Sequence, residues 1–244
     1  MKNLNVRTFV VLLLLATGGL FFGNGILVKS SQAVTTRQDP QEKQATEQEV
    51  QTLREQRVAV TVVATQIKQL AASRQGQALR SVLGENGFRA MSGKEDYFGW
   101  EAEYRGKDGK VLKSKLILQN FGKANSKDIA ALASITLSSQ GQTSTYDFSL
   151  IAPNGDVEHP QEYKVNEKFK VERANSLWSC FVNRVRSQCI GVCITALATC
   201  PTSSWAAYLG CVAARCGGCA LKALACCACN SSWWCRWAVG SCHQ

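Results

Sequence analysis

Polar and apolar residues alternate along residues 98–105, where Phe98, Trp100, Ala102 and Tyr104 occupy every second position. A period of two is typical of a β-strand with one buried face. Asp108-Gly109 predicts a hairpin turn after this strand, and Asn154-Gly155 predicts a second tight turn. Further strands are predicted over residues 111–118, 129–137, 145–151 and 163–171. The pattern therefore indicates an antiparallel meander.

The residues before the meander have a helical pattern. Over residues 75–85, Ala78, Leu79, Val82 and Leu83 fall on one helical face, and Gly87 is a natural stop after it. Asp39-Pro40 predicts an earlier helix start, with a helix running from there to about Gln56. The β-branched residues 58–64 fit a strand or a helix equally well.

The C-terminal part is apolar on nearly every helical face. We predict three short helices there, over residues 185–199, 205–216 and 219–229, separated by Pro201 and by Gly217-Gly218. Helices of this kind must bury several faces, either against each other or in a membrane. The expected fold is an α+β N-terminal domain, with helices followed by an antiparallel meander, and then a small, disulfide-rich, mainly helical C-terminal module.

The composition changes sharply near residue 173. All twelve cysteines lie between Cys180 and Cys242, and the last acidic residue is Glu172. We therefore divide the chain into a signal peptide (1–33), a polar linker (34–50), an α+β propeptide or immunity-like domain (51–173) and a cysteine-rich cationic module (174–244). A module this small buries little surface, so crosslinks are expected to stabilise it.

The cysteines are predicted to form structural disulfides, because an exported location permits them. The pairing cannot be derived from the spacing, but neighbours such as Cys226 and Cys227 are expected to have separate partners. A metal site or a redox-active CxxC formed by residues 216–219 are the alternatives, and no metal ligand is assigned. The predicted disulfide residues are Cys180, Cys189, Cys193, Cys200, Cys211, Cys216, Cys219, Cys226, Cys227, Cys229, Cys235 and Cys242.

The N-terminus has the parts of an export signal. Lys2 and Arg7 precede the apolar residues 9–22, and a small-x-small sequence predicts cleavage after Ala33. An uncleaved anchor running to Val28 is the alternative, and Gly18-Gly19 leaves a double-glycine leader open. We expect secretion to the extracellular space and leave open an association with the cell envelope before processing.

The charge of the C-terminal module is +5, from five basic and no acidic residues between Ala174 and Gln244. These cations are diluted among apolar residues, which fits an anionic bacterial membrane better than a nucleic acid, for which a dense basic stripe is usual. The alternative is that Trp233, Trp234 and Trp237 fill the core of the module instead of contacting a membrane. The predicted membrane contacts are Trp233, Trp234, Trp237, Arg236, Lys222 and Arg215.

Residues 34–173 have no recognisable catalytic arrangement. Their one histidine, His159, stands next to Pro160 in a predicted loop, and no phosphate-binding loop or nucleophile motif occurs. We expect a binding, chaperoning or inhibitory domain rather than an enzyme, and no cofactor.

An exported precursor with a cysteine-free domain and a cysteine-rich, apolar C-terminal module resembles the precursors of the halocin family of bacteriocins, of the C-eight type. The residues that carry the resemblance are 189–193, with the sequence Cys-Ile-Gly-Val-Cys, and the cysteine run from Cys211 to Cys229. The resemblance covers only the cysteine-rich module. It implies that the C-terminal peptide is released as the antimicrobial agent, and that the preceding part can confer immunity.

The function expected from these features is that of a secreted, bacteriocin-like precursor whose released C-terminal peptide acts on bacterial membranes. Arg173, with Lys168 and Lys170, offers a processing protease basic sites in an expected interdomain linker. Glu101 and Glu103, on one predicted strand, are expected to bind the cationic tail, so that the N-terminal domain masks it intramolecularly. The alternative is a non-toxic exported protein whose tail mediates envelope attachment or assembly.

Overall fold

The computed structural model describes residues 51–106, 108–174, 176–189 and 191–229, all within one compact unit. Two helices precede most of an antiparallel sheet and four cysteine-containing helices follow it, which confirms the predicted fold class. The predicted signal peptide with Ala33 and the predicted linker lie outside the described residues, as do Trp233, Trp234, Cys235, Arg236, Trp237 and Cys242.

Along the described part of the chain, one strand is followed by two α-helices, then by seven strands and finally by four α-helices. The strands are β1 (Gln51–Arg57), β2 (Arg89–Ala90), β3 (Tyr97–Arg105), β4 (Val111–Gly122), β5 (Ile129–Ser139), β6 (Gln142–Ala152), β7 (Gln161–Val165) and β8 (Val171–Ala174). The helices are α1 (Val60–Ala72), α2 (Arg74–Glu85), α3 (Leu177–Gln188), α4 (Gly191–Thr199), α5 (Trp205–Cys216) and α6 (Gly218–Ala228).

The strands form a single antiparallel sheet in the order β1-β3-β4-β5-β6-β7-β8, with β2 paired to the end of β4. The predicted turn glycines Gly109 and Gly155 both have positive φ, at 76° and 73°. This strand order means that, from β3 to β8, each strand pairs with the next one along the chain, as the predicted meander requires.

The sheet separates two helical layers. On one face, Val63, Ile67 and Leu70 of α1 pack with Ile117 and Phe121 of β4 in a cluster to which α2 also contributes. On the other face, Phe98, Ala102 and Tyr104 of β3 belong to a larger cluster with α3–α6. The central strand β5 contributes to both clusters, since successive side chains point to opposite faces.

The helix α2 agrees closely with its prediction. It buries Leu79 and Leu83, and Gly87 follows it with φ 84°. Ser73 caps its N-terminus, because the Ser73 hydroxyl accepts a hydrogen bond from the Gly76 amide at 3.0 Å.

Three predicted boundaries are wrong. Residues 51–56, expected at the end of a helix, form β1, because pairing with β3 satisfies their backbone groups. Residues 163–171 form two strands, since the chain turns back at residues 166–170. The first C-terminal helix begins at Leu177 and is interrupted at Cys189, whose ψ of 153° is extended, so four helices replace the predicted three.

The expected exposed linker at residues 170–179 is also not what the structure contains. Val171–Ala174 pairs with β7 as an edge strand, Ala174 is buried, and α3 begins at Leu177. The cysteine-rich helices share one hydrophobic cluster with the sheet instead of packing as a separate body. Residues near the boundary are therefore part of the folded structure.

Candidate functional site

The interface between the sheet and the cysteine-rich helices is the candidate functional site. We call residues 51–174 the sheet segment and α3–α6 the tail helices. Their apolar faces meet in one cluster, so the tail helices gain from the sheet the burial that they cannot provide for themselves. The largest fully buried side chains of this cluster come from both sides: Phe98, Tyr104, Leu112, Leu118 and Phe148 from the sheet segment, and Phe181, Trp205 and Tyr208 from the tail helices.

Aromatic side chains lie at the centre of the tail part. The Trp178 and Trp205 rings meet edge to face with centroids 4.9 Å apart, and Phe181 lies 4.9 Å from Trp178 on its other side. The Trp178 indole N–H donates to the Val157 carbonyl oxygen at 2.7 Å, which links this cluster to the loop after β6. These tryptophans are core residues, as edge-to-face aromatic packing favours.

Three disulfides between described cysteines join tail helices to one another. Cys180–Cys227 and Cys189–Cys219 connect the α3 region to α6, and Cys200–Cys211 connects the end of α4 to α5. Cys226 and Cys229 are disulfide-bonded as well, so adjacent Cys226 and Cys227 have separate partners, as predicted. The sheet segment contains no cysteine and is therefore held to the tail by non-covalent contacts.

Cys193 and Cys216 are free thiols, so the prediction that every cysteine is disulfide-bonded is wrong for these two. Burial, a hydrogen bond between the two side chains and the proximity of Cys193 raise the pKa of Cys216 to about 12. The two thiols lie in α4 and α5, which Cys200–Cys211 already connects. Cys216 is thus protonated at neutral pH and lies within hydrogen-bonding distance of Cys193.

The glycines between Cys216 and Cys219 allow a close approach to β1. Gly217 has φ 51° and ψ −138°, a conformation that is strained for other residues, and a Cβ there would lie 2.9 Å from an Glu55 carboxylate oxygen. Cys219 is bonded to Cys189, not to Cys216. The CxxC spacing therefore reflects packing at the start of α6.

Glu162 of β7 reaches the N-terminus of α3. It is 1% exposed, and its carboxylate accepts hydrogen bonds from the Trp178 amide at 3.0 Å and from the Tyr146 hydroxyl at 2.8 Å. Free backbone amides at a helix N-terminus need acceptors and favour negative charge. A buried carboxylate of the sheet segment thus caps the first tail helix.

Asn120 of β4 caps the N-terminus of α5. Its amide oxygen accepts a hydrogen bond from the Ala206 amide at 3.0 Å, and its amide nitrogen donates to Asp96 at 3.3 Å. Asp96 in turn accepts from the Gly93 amide at 2.9 Å. Because Asn120 and Asp96 are buried, this chain of hydrogen bonds fixes the start of α5 to the sheet.

Strand β1 lies against the start of α6. A Cβ on Gly218 would come within 2.8 Å of the Thr52 hydroxyl oxygen, and the Tyr104 hydroxyl donates to the Gly218 carbonyl at 3.3 Å. Burial first, and then the nearby Glu55 carboxylate, raise the pKa of Tyr104. No local sequence pattern indicates these roles of Glu162, Asn120 and Glu55, because each residue contacts a partner more than fifteen residues away along the chain.

Glu101 and Glu103 do not contact the tail helices, contrary to the masking prediction. They alternate with Trp100, Ala102 and Tyr104, whose side chains pack in the cluster shared with those helices. Glu101 accepts a hydrogen bond from Gln56, and Glu103 forms an ion pair with Lys113 at 3.1 Å. The contact between the sheet segment and the tail helices is therefore mainly apolar and does not involve these two carboxylates.

The predicted membrane contacts that lie in the described region are Arg215 and Lys222. Arg215 is exposed and donates to the Thr199 hydroxyl at 2.7 Å, and Lys222 is half-buried in α6. Val192 and Ile194 on α4 are 54% and 44% exposed, a small apolar surface that was not predicted. Within the described part, no single helix has the length and apolarity to cross a membrane, whereas α5 and α6 satisfy these criteria jointly despite a 116° bend between them.

The remaining predicted residues lie away from the interface core. Arg173 is exposed in β8, opposite Tyr163 of β7. His159 is exposed, and its Nδ1 lies 3.2 Å from an Asp156 carboxylate oxygen. Among the residues that the structure describes, no group of three or more His, Cys, Asp or Glu side chains is arranged to hold a metal ion.

Comparison with protein families, with curated proteins and with solved structures gives no match for this chain.

Proposed function

We propose that this chain is the precursor of a secreted, bacteriocin-like antimicrobial peptide, and that the sheet segment covers the tail helices until a protease releases them. One observation carries the proposal. The three disulfides between described cysteines each join two parts of the tail, whereas the tail meets the sheet segment without a covalent crosslink. A backbone cut before α3 would leave a tail that is still crosslinked and that can leave the sheet.

The processing position that we favour is the turn between β7 and β8. Lys168 and Lys170 are exposed there, whereas the backbone of Arg173 lies in the strand pair with β7. Proteases cleave extended segments that open locally, and exposed turns open more readily than paired strands. Cleavage in this turn leaves β8 on the tail fragment, held to β7 by strand pairing and by the ion pair between Lys164 and Glu172 at 3.3 Å.

The expected action of the released tail is to bind and disturb anionic membranes. Release would uncover apolar residues such as Phe181, Leu209 and Leu224, which are buried in the intact chain. A tail released by a cut after Lys170 carries six cations, namely Arg173 and the five from Ala174 onward, and a single acidic side chain, Glu172. Each cation near an anionic surface contributes about 1 kcal/mol, and buried apolar area adds to this.

The proposed immunity role follows from the same interface. A sheet segment that stays with the producing cell would retain the surface on which the tail helices pack, including Phe98, Tyr104 and Leu118. It would therefore cover a released tail again. This mechanism rests on shape and apolar contact, so it is less sensitive to salt than masking by surface charge.

Mass spectrometry of the culture supernatant, without reduction, tests the proposal. We expect a fragment that begins between residues 169 and 176 and contains all twelve cysteines. The purified fragment should inhibit related bacteria, and an excess of the sheet segment should suppress the inhibition. An exported product that stays full length through stationary phase contradicts the precursor proposal. A fragment that attaches to the producer's envelope and inhibits no strain favours the attachment function instead.

A further inference from the structure

The N-termini of α3, α5 and α6 lie beside acceptors that belong to the sheet segment. The Trp178 amide in the first turn of α3 donates to Glu162, and the Ala206 amide in the first turn of α5 donates to Asn120. At α6 the Glu55 carboxylate lies beside Gly217 and Gly218. These are long-range contacts that join the sheet to three of the four tail helices.

The tail supplies few caps of its own. Neither Ser176 before α3 nor Gly217 before α6 makes a side-chain capping hydrogen bond. Ser204 caps α5 through the Ala207 amide, which leaves the Ala206 amide to Asn120. Since no Asp or Glu occurs after Glu172, the tail has no carboxylate with which to satisfy its helix N-termini.

Two of these contact positions lie next to cysteines. Cys180 is two residues after Trp178, and Cys219 directly follows Gly218. Their disulfide partners, Cys227 and Cys189, are separated from them by 47 and 30 residues. Fixing the starts of α3 and α6 on the sheet therefore brings together cysteines that chain proximity does not favour, among the many pairings that twelve cysteines allow.

We propose that the sheet segment is an intramolecular template for the oxidative folding of the tail, and that Glu162 and Asn120 are its main positioning residues. Each step is ordinary thiol–disulfide exchange: two cysteine thiols give up two electrons and two protons to oxidised glutathione, which yields one protein disulfide and two reduced glutathione molecules. The template decides which thiols meet. This role holds whether or not the released tail is antimicrobial.

The test is refolding of the full chain from the reduced, denatured state in a glutathione buffer, followed by peptide mapping of the three disulfides. Glu162→Gln keeps the side-chain size but leaves one oxygen for two donors, and we expect the yield of native pairing to fall roughly three- to tenfold. Glu103→Gln, on the opposite face of the sheet and ion-paired with Lys113, is the matched control and should refold as the wild type does. Equal yields from Glu162→Gln and Glu103→Gln would overturn the assignment of Glu162.

A second measurement does not depend on a variant that folds. The chain is given an engineered protease site in the turn at residues 166–170, with no other change, and is cut there after folding. The two fragments are then reduced, denatured and reoxidised together at increasing protein concentration. If the sheet segment is the template, the yield of native disulfides in the tail fragment rises with the concentration of the sheet segment. That yield stays low when the tail fragment is reoxidised without the sheet segment. The same yield with and without the sheet segment would overturn the template role.

Discussion

Asp147 lies on the sheet face opposite the tail helices, hydrogen-bonded by the Ser134 hydroxyl at 2.6 Å. Burial raises the pKa of this carboxyl, and the hydrogen bond from Ser134 offsets part of that rise. The folded state therefore holds the proton more tightly than the unfolded state. Stability linked to this proton is present at low pH and falls as the pH rises from the ordinary pKa of aspartate through the raised value.

Asp147→Asn should consequently raise the urea midpoint of unfolding at pH 7 and leave it nearly unchanged at pH 3. Asp128→Asn is a control of opposite sign. The hydrogen bond that the Asn154 amide donates to Asp128 lowers the pKa of Asp128, so its stabilising contribution is present at neutral pH and is lost on acidification. Identical pH dependence of the two variants would contradict this account.

Cys193 and Cys216 allow a second test at the scale of single residues. Because the pKa of Cys216 is raised to about 12 and Cys193 is buried, alkylation of the native protein at pH 8 should be slow at both. After unfolding without reduction, these two should label, and Cys180, Cys189, Cys200, Cys211, Cys219 and Cys227 should not. Oxidised glutathione should likewise join Cys193 to Cys216 only slowly in the folded protein at pH 8, the two thiols losing two hydrogens as two reduced glutathione molecules form, and Cys216→Ser should abolish that change.

Labelling of any cysteine from the three described disulfides, in unfolded but unreduced protein, would contradict the pairing in the structure.

Individual elements were predictable where local pattern and tertiary packing agree. Helix α5 has the predicted bounds, from Trp205 to Cys216, and α2 differs from its prediction by one residue at its start. Strand β1 was missed, because its sequence is polar and only pairing with β3 makes it a strand. The break at Cys189 was missed as well, since nothing local between residues 185 and 199 resembles a helix stop as strong as Pro201.

The turn between β7 and β8 carries a prediction at the scale of elements. Within residues 51–229, limited trypsin digestion of the folded protein should cut first after Lys168 or Lys170, because both are exposed in a turn that joins an edge strand to the sheet. The two fragments should stay associated at the protein concentration of gel filtration, and they should separate on dilution, as the proposed release requires, or in denaturant without reduction.

Changing both Lys168 and Lys170 to Gln should protect the turn, whereas Arg173→Gln should leave the cutting rate unchanged. First cleavage at Arg173 would mean that β8 opens more easily than the turn does.

For the whole molecule, the sequence indicated the two parts but not how they pack. The change in cysteine and acid content near residue 173 is real, yet Trp178, Trp205 and Tyr208 of the tail share a cluster with Phe98 and Phe148 of the sheet. Apolar helices can bury their faces on each other, in a membrane or on a sheet, and periodicity does not distinguish these cases. The capping roles of Glu162 and Asn120 depend on this packing, so they could not be predicted from the sequence.

Vesicle leakage is the most direct test of the claim that the sheet segment masks a membrane-active tail. Dye-loaded vesicles with anionic lipid receive equal amounts of the intact chain, of the chain cut between β7 and β8, and of the separated, oxidised tail. The account predicts leakage from the separated tail only, weaker at high salt and on neutral vesicles, and suppressed when the sheet segment is added back. Equal leakage from the intact chain and the separated tail, or none from a correctly oxidised tail, would contradict it.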